Sequence, residues 1–114
     1  MIVEDIRQLF EIKSDVILTI GTFDGYHLGH QKVIAALLDE AKKQKCQSVV
    51  VTFPNNPREV ILKKPVPSVI DADAKLELLD ASGVDFVVSV RFTEELRHMS
   101  APAFLKFLGL RVKT

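Results

Sequence analysis

No excess of either charge runs through this sequence: 15 Lys and Arg stand against 15 Asp and Glu in 114 residues. A chain without a basic field is not drawn as a whole onto nucleic acid or an anionic membrane, so neither is expected as a partner. Any anionic ligand must then be held by a local site. A single cysteine, Cys46, excludes an internal disulfide. The start Met1-Ile2-Val3-Glu4-Asp5-Ile6 lacks the basic stretch and the long apolar stretch of a secretory signal, which makes the cytoplasm the expected compartment. No unbroken apolar run approaches the roughly 20 residues that a bilayer crossing needs. Repeats, low-complexity segments and blocks of like charge are also missing.

What is present is an ordinary balance of 47% hydrophobic and 26% charged residues, enough for one packed core. The hydrophobic period changes several times along the chain. Asp15 to Ile20 is short, β-branched, nearly all apolar and closed by Gly21, which suits a strand covered on both faces. From Leu28 to about Gln44, residues Val33, Ile34, Leu37, Leu38 and Ala41 recur at helical spacing, while Lys32, Asp39, Glu40, Lys42 and Lys43 take the other side. Ser48 to Phe53 repeats the strand signature and stops at Pro54.

Further on, Asp71 or Asp73 is placed to cap a helix carrying Leu76, Leu79 and Ala81, with Gly83 at its left-handed end. A third strand is expected over Asp85 to Val90. Ser100 is the expected N-cap of a last helix, with Pro102 in its first turn and Phe104, Leu105 and Leu108 on one face. Strands alternating with helices imply an α/β fold, a Rossmann-like doubly wound parallel sheet. Three strands are few for that architecture, and residues 109–114 read as a helix end entering another segment. The domain is therefore expected to be incomplete here and to continue past Thr114.

In such sheets ligands bind where the carboxyl ends of the strands meet the following helices, and residues 21–30 lie there. Gly21 ends the strand, Gly25 permits a tight turn, and Gly29 lets a ligand approach the opening of the helix, where free N–H groups and the positive dipole end favour phosphate. His27 and His30, three residues apart, project toward one volume in front of the helix. Paired imidazole donors suit a transferring phosphoryl group, which needs charge stabilisation and in-line positioning more than a nucleophile. Two competing readings are a metal-binding pair and two exposed polar residues on a first turn. Zinc would want a third and fourth ligand at ligand spacing, and Cys46 and His98 offer no such motif, so no metal site is assigned.

Gly21-Thr22-Phe23-Asp24-Gly25-Tyr26-His27-Leu28-Gly29-His30 resembles the signature of the nucleotidyltransferase superfamily, whose hallmark is His-x-Gly-His. The stretch Phe53-Pro54-Asn55-Asn56-Pro57-Arg58 resembles the second patch of bacterial FAD synthetases. Lys75 to Leu79, Gly83 to Asp85, Phe92 to Glu94 and Met99 to Ala101 follow in the order of that family. The resemblance spans about residues 15 to 108. It implies a fold of the nucleotidyltransferase type and the transfer of AMP from ATP, accompanied by Mg²⁺, to FMN, giving FAD and pyrophosphate.

Under the same resemblance His27 and His30 contact the ATP phosphates, and Gly21, Thr22, Phe23, Asp24, Gly25 and Gly29 shape the adenylate pocket. Asn55, Asn56, Pro57 and Arg58, on the loop after the second strand, line the reacting-phosphate side. Cytidylyltransferases and pantetheine-phosphate adenylyltransferases carry related first strings and remain alternatives, as does a nucleotide-binding fragment without turnover. Where the family pattern has His, this sequence has Asn56, which donates a neutral hydrogen bond but cannot carry a proton or positive charge. The later strand-loop motif, the Ser/Thr-rich phosphate motif and the riboflavin kinase module of the family pattern are not found in these 114 residues. Of the remaining residues, His98 is expected at the surface, Cys46 as a small buried or half-buried side chain opening the second strand, and Phe104, Phe107 and Leu108 in the core rather than as a flavin platform.

Overall fold

The computed structural model describes residues 1–12, 15–23, 28–55, 57–65, 72–109 and 111–112. Its core is the βαβ unit expected from the sequence. Strand β2, Asp15–Ile20, leads through helix α1, Leu28–Gln44, into strand β3, Gln47–Thr52. The two strands lie parallel with Val16 beside Gln47 and Ile20 beside Val51. Lys42 and Lys43 occupy the last turn of α1, where cationic side chains complement the helix dipole. The helix closes when Lys45 turns left-handed at φ 55°, so that Cys46 N–H reaches Ala41 O at 2.9 Å and Lys45 N–H reaches Lys42 O. Cys46 is half-buried, within the expectation, but stands one residue ahead of β3 rather than opening it.

Beyond β3 the chain forms helix α2, Pro57–Leu62, helix α3, Ala72–Ala81, and strand β4, Phe86–Ser89, which pairs parallel with β3. Asp73 lies in the first turn of α3, and Gly83 takes φ +102° after its end. Asp71 is outside the described residues. Helix α4, Glu94–Arg97, and helix α5, Ala101–Leu108, follow. The Ser100 hydroxyl accepts from Ala103 N–H at 3.2 Å, and Gly109 ends α5 at φ 73°.

The expected three-stranded sheet has five strands. The two others, β1 (Ile2–Val3) and β5 (Arg111–Val112), are two residues each, too short for a period of two to show in sequence. Their strand character comes from the parallel partners, β4 for β1 and β2 for β5. The order is β1-β4-β3-β2-β5. Omitting the β1 edge, it runs third, second, first, fourth, the sequence of a doubly wound nucleotide-binding sheet, and the direction reverses beside β2. The ligand crevice of this architecture therefore falls at the carboxyl end of β2.

Alternation along the strands divides the core. Val16, Val49, Val51 and Val88 face Leu9, from a 3₁₀ helix over Ile6–Glu11, and Leu108 of α5. Val50 and Val87 face Ile34 and Leu37 of α1 and Leu76 and Leu79 of α3. Both faces are covered, which is why the strands read as unbroken apolar runs. At the amino ends of the strands Ser48 and Asp85 tie β3 to the start of β4: Ser48 N–H and Oγ donate to Asp85 Oδ2 at 2.7 and 3.1 Å, and Asp85 N–H returns to Ser48 Oγ at 2.9 Å. One core expectation fails. Phe107 is 41% exposed, because the buried stripe of α5 runs through Phe104 and Leu108, four residues apart, and Phe107 lies off it.

Candidate functional site

The carboxyl edge of the sheet gathers three segments: residues 21–23 after β2, 53–55 after β3 and 90–93 after β4. Gly21 N–H donates to Val51 O at 3.0 Å and so prolongs the β2–β3 ladder by one residue. Thr22 then turns its carbonyl inward, where it accepts from Thr52 Oγ1 at 3.1 Å and from Lys75 Nζ at 2.7 Å. Phe23 adopts φ 52°, an uncommon conformation for a side chain with a Cβ. It is held there because its ring is buried among Ile34, Leu37, Val50 and Leu76. Strain of this kind persists where packing over-determines it, commonly at ligand sites.

The need for glycine at position 21 is steric rather than conformational. A Cβ built there meets Phe23 Cε2 at 3.0 Å. The Phe23 ring also lies 5.2 Å, centroid to centroid and tilted 59°, from the imidazole of His30 in the first turn of α1. Gly21, Phe23 and His30 are thus stacked in succession, with Gly29 exposed beside them. Asp24, Gly25 and His27 lie outside the described residues, as does Asn56.

On the β3 side, Pro57 and Arg58 open helix α2 rather than continuing a loop, Pro57 taking the first helical position, where its missing N–H costs nothing. The Arg58 side chain is exposed. Asn55 bonds in both directions with one residue: its Nδ2 donates to Phe92 O and its Oδ1 accepts from Phe92 N–H, both at 2.9 Å. This paired amide fastens the loop after β3 to the segment after β4. Asn55 thereby builds the wall of the site as well as standing beside it.

That wall encloses a cavity of about 260 Å³, lined chiefly by Ile20, Phe53, Phe92, Leu96, Met99 and Phe104. Phe53 and Phe92 meet edge to face at 5.3 Å. Ligand cavities span about 300–1,000 Å³, so the space has room for part of a ligand rather than a whole dinucleotide. It lies toward α4 and α5, and His30 lies toward α1; both belong to the same carboxyl edge.

Sequence reasoning gave Lys75 no role beyond its place in an ordered string and did not foresee the cavity. Lys75 is 6% exposed, and its Nζ also donates to Phe53 O at 2.6 Å. The available signal was its position four residues before Leu79, on the apolar stripe of α3. Phe92 and Met99 were visible only as members of an ordered string. His98 is exposed, 3.4 Å from Glu94, in keeping with a surface role.

A doubly wound parallel sheet with a glycine-bearing turn and an imidazole at its carboxyl edge defines an α/β domain of the Rossmann-like type. Known proteins narrow this. The family described as FAD synthetase matches residues 9–114, and the chain belongs to that family. It is 31% identical over 105 residues to the bifunctional riboflavin kinase/FMN adenylyltransferase of Buchnera aphidicola subsp. Acyrthosiphon pisum (strain APS), covering 91% of this chain and 34% of that protein. The Escherichia coli (strain K12) protein of the same description is 35% identical over 101 residues, covering 85% and 32%. The chain thus spans about a third of the length of these curated relatives. The solved structure titled "Crystal Structure of Macrolide-efflux Protein from Streptococcus pneumoniae" superposes with a TM-score of 0.78 over 99% of this chain and 39% of that one. At 21% identity this likeness speaks for the fold alone. No helix among the described residues is long and apolar enough to cross a membrane.

Proposed function

We propose that this chain forms part of an FMN adenylyltransferase domain, which moves AMP from ATP to FMN. A phosphate oxygen of FMN attacks the α-phosphorus of ATP. The bond from that phosphorus to the bridging oxygen breaks, and its electron pair leaves with pyrophosphate. His30, steadied by the Phe23 ring, and His27 donate N–H groups to the phosphates as charge develops, and neither forms a covalent bond. Gly21, Thr22, Phe23, Asp24, Gly25 and Gly29 make the adenylate side, while Asn56, Pro57 and Arg58 border the reacting phosphates. The cavity faced by Phe53, Phe92 and Phe104 takes the flavin ring, and Asn55 holds its wall.

Mg²⁺ belongs to this reading as part of the ATP complex, where it neutralises phosphate charge. Among the described residues no group of three His, Cys, Asp or Glu is placed to hold a metal. The cytoplasm, where ATP and FMN are at hand, is the proposed location.

The observation that carries the reading is the shared edge: the segment after β2 with His30 and an aromatic-lined cavity are joined through residues 20–23 and 53. The test is incubation with ATP, Mg²⁺ and FMN, following pyrophosphate and FAD together. FAD formed in step with pyrophosphate supports the assignment. Turnover of CTP with glycerol phosphate, or of ATP with pantetheine phosphate, in place of FMN moves the protein to a sister enzyme. A second reading, nucleotide and flavin binding without turnover, is favoured by Asn56 standing where the family pattern has His. ATP binding without pyrophosphate release supports that one.

A further inference from the structure

We infer that Lys75 is a positioning residue whose ammonium clamps the phosphate turn and the wall of the aromatic cavity into one unit, an inference that rests on the reading of the site just given. Lysine is almost never fully buried without a partner. Here the charge lies inside the protein, 2.7 Å from Thr22 O and 2.6 Å from Phe53 O. Those carbonyls belong to the segments leaving β2 and β3, one in the turn that meets phosphate and the other in a residue lining the cavity. Lys75 itself stands on α3, whose Leu76 packs in the same buried cluster as the Phe23 ring.

The clamp answers a problem set by the fold. Parallel strands finish with carbonyl oxygens at their carboxyl edge, and oxygens facing the crevice would repel phosphate. Lys75 draws two of them inward and offsets their partial negative charge. Because the C=O and N–H of one trans peptide point in opposite directions, the same contact turns Phe23 N–H away from α3. Thr52 Oγ1 supports the same Thr22 carbonyl at 3.1 Å. The two subsites are therefore set relative to each other by one residue standing on a third element.

The test compares Lys75→Met with wild type and with Ser48→Ala, which weakens the far end of the sheet. Amide exchange by mass spectrometry and titrations with ATP–Mg²⁺ and with FMN are the readouts. In Lys75→Met, exchange over residues 21–23 and 53–55 is expected to quicken about tenfold while the peptides holding Ser48 and Asp85 keep their rate, and the Kd for each ligand is expected to rise about tenfold. Ser48→Ala is expected to lower Tm and leave both Kd values within about twofold. If Lys75→Met does not fold, Thr52→Val serves: it is expected to weaken ATP about threefold and leave FMN unchanged. Lys75→Met with a lower Tm but wild-type affinity for both ligands, or Thr52→Val with unchanged ATP affinity, overturns the inference. Wild type binding neither ligand counts against the proposed function instead, and unaltered exchange over 21–23 and 53–55 in Lys75→Met then overturns the clamp on its own.

Discussion

Replacing Gly21 by Ala tests the stack from the strand end to the imidazole. The added methyl carbon lies 3.0 Å from Phe23 Cε2 and 3.4 Å from two further ring atoms. Ordinary carbon contacts begin near 3.5 Å, so the ring must retreat by about 0.5 Å. It has little room to do so, being 4% exposed and enclosed by α1, α3 and Val50. Overpacking of this kind costs about 1–3 kcal/mol. The ring that moves is also the one against His30, and misplacement of a catalytic group by as much as 1 Å costs up to about 10²-fold in rate. Gly21→Ala is thus expected to lose about 1–3 kcal/mol in urea unfolding and to lower kcat by at least about tenfold. The double variant Gly21→Ala with Phe23→Leu, which removes the ring, is expected to be less unstable than the sum of the single changes, because the clash it relieves is shared. A Gly21→Ala protein within about 0.5 kcal/mol of wild type, with unchanged turnover, refutes the reasoning.

Further outcomes follow from other contacts. His30→Ala and His27→Ala are each expected to lower kcat by about 10² or more, as for loss of a transition-state donor, and steady-state rates of FAD formation unchanged in both would remove their assigned roles. Gly83→Ala should cost about 1–2 kcal/mol through backbone strain alone, since φ is +102° and the nearest atom to a new Cβ, Leu38 Cδ1, is 4.0 Å away; chemical denaturation reads this directly. Bonds from the Arg7 guanidinium, then from Arg7 N–H, hold the Asp5 carboxyl down from 3.8 to about 2. A carboxyl lowered by folding stabilises above its ordinary value and loses that contribution as pH falls through the folded value. The stability gap between wild type and Asp5→Asn should therefore be open above about pH 4, close toward pH 2, and shrink with salt because the pair is exposed; a gap independent of pH would contradict the contact.

The sequence by itself determined the parts that depend on neighbours along the chain. Asp15 to Ile20 and Leu28 to Gln44 have the boundaries their periods predict, Ser100 and Gly109 cap α5, and Gly83 closes α3, because strand alternation, helical spacing and caps are all written within a few residues. The string from Gly21 to His30 stood out for the same reason, glycines and histidines at fixed spacing after a strand, and of it the described residues place Gly21 and His30 on either side of the Phe23 ring, while its phosphate role belongs to the proposed function. Tertiary structure alone decided which separated segments meet. Two-residue strands at 2–3 and 111–112 exist only through their partners, and Phe107 was assigned to the core by composition but turned outward by the direction of the α5 stripe. Thirty-seven residues separate Asn55 from Phe92 and fifty-three separate Thr22 from Lys75, so neither the cavity wall nor the ammonium clamp leaves a local pattern. Those contacts are fixed by the order of strands in the sheet, which sets which loops share its carboxyl edge.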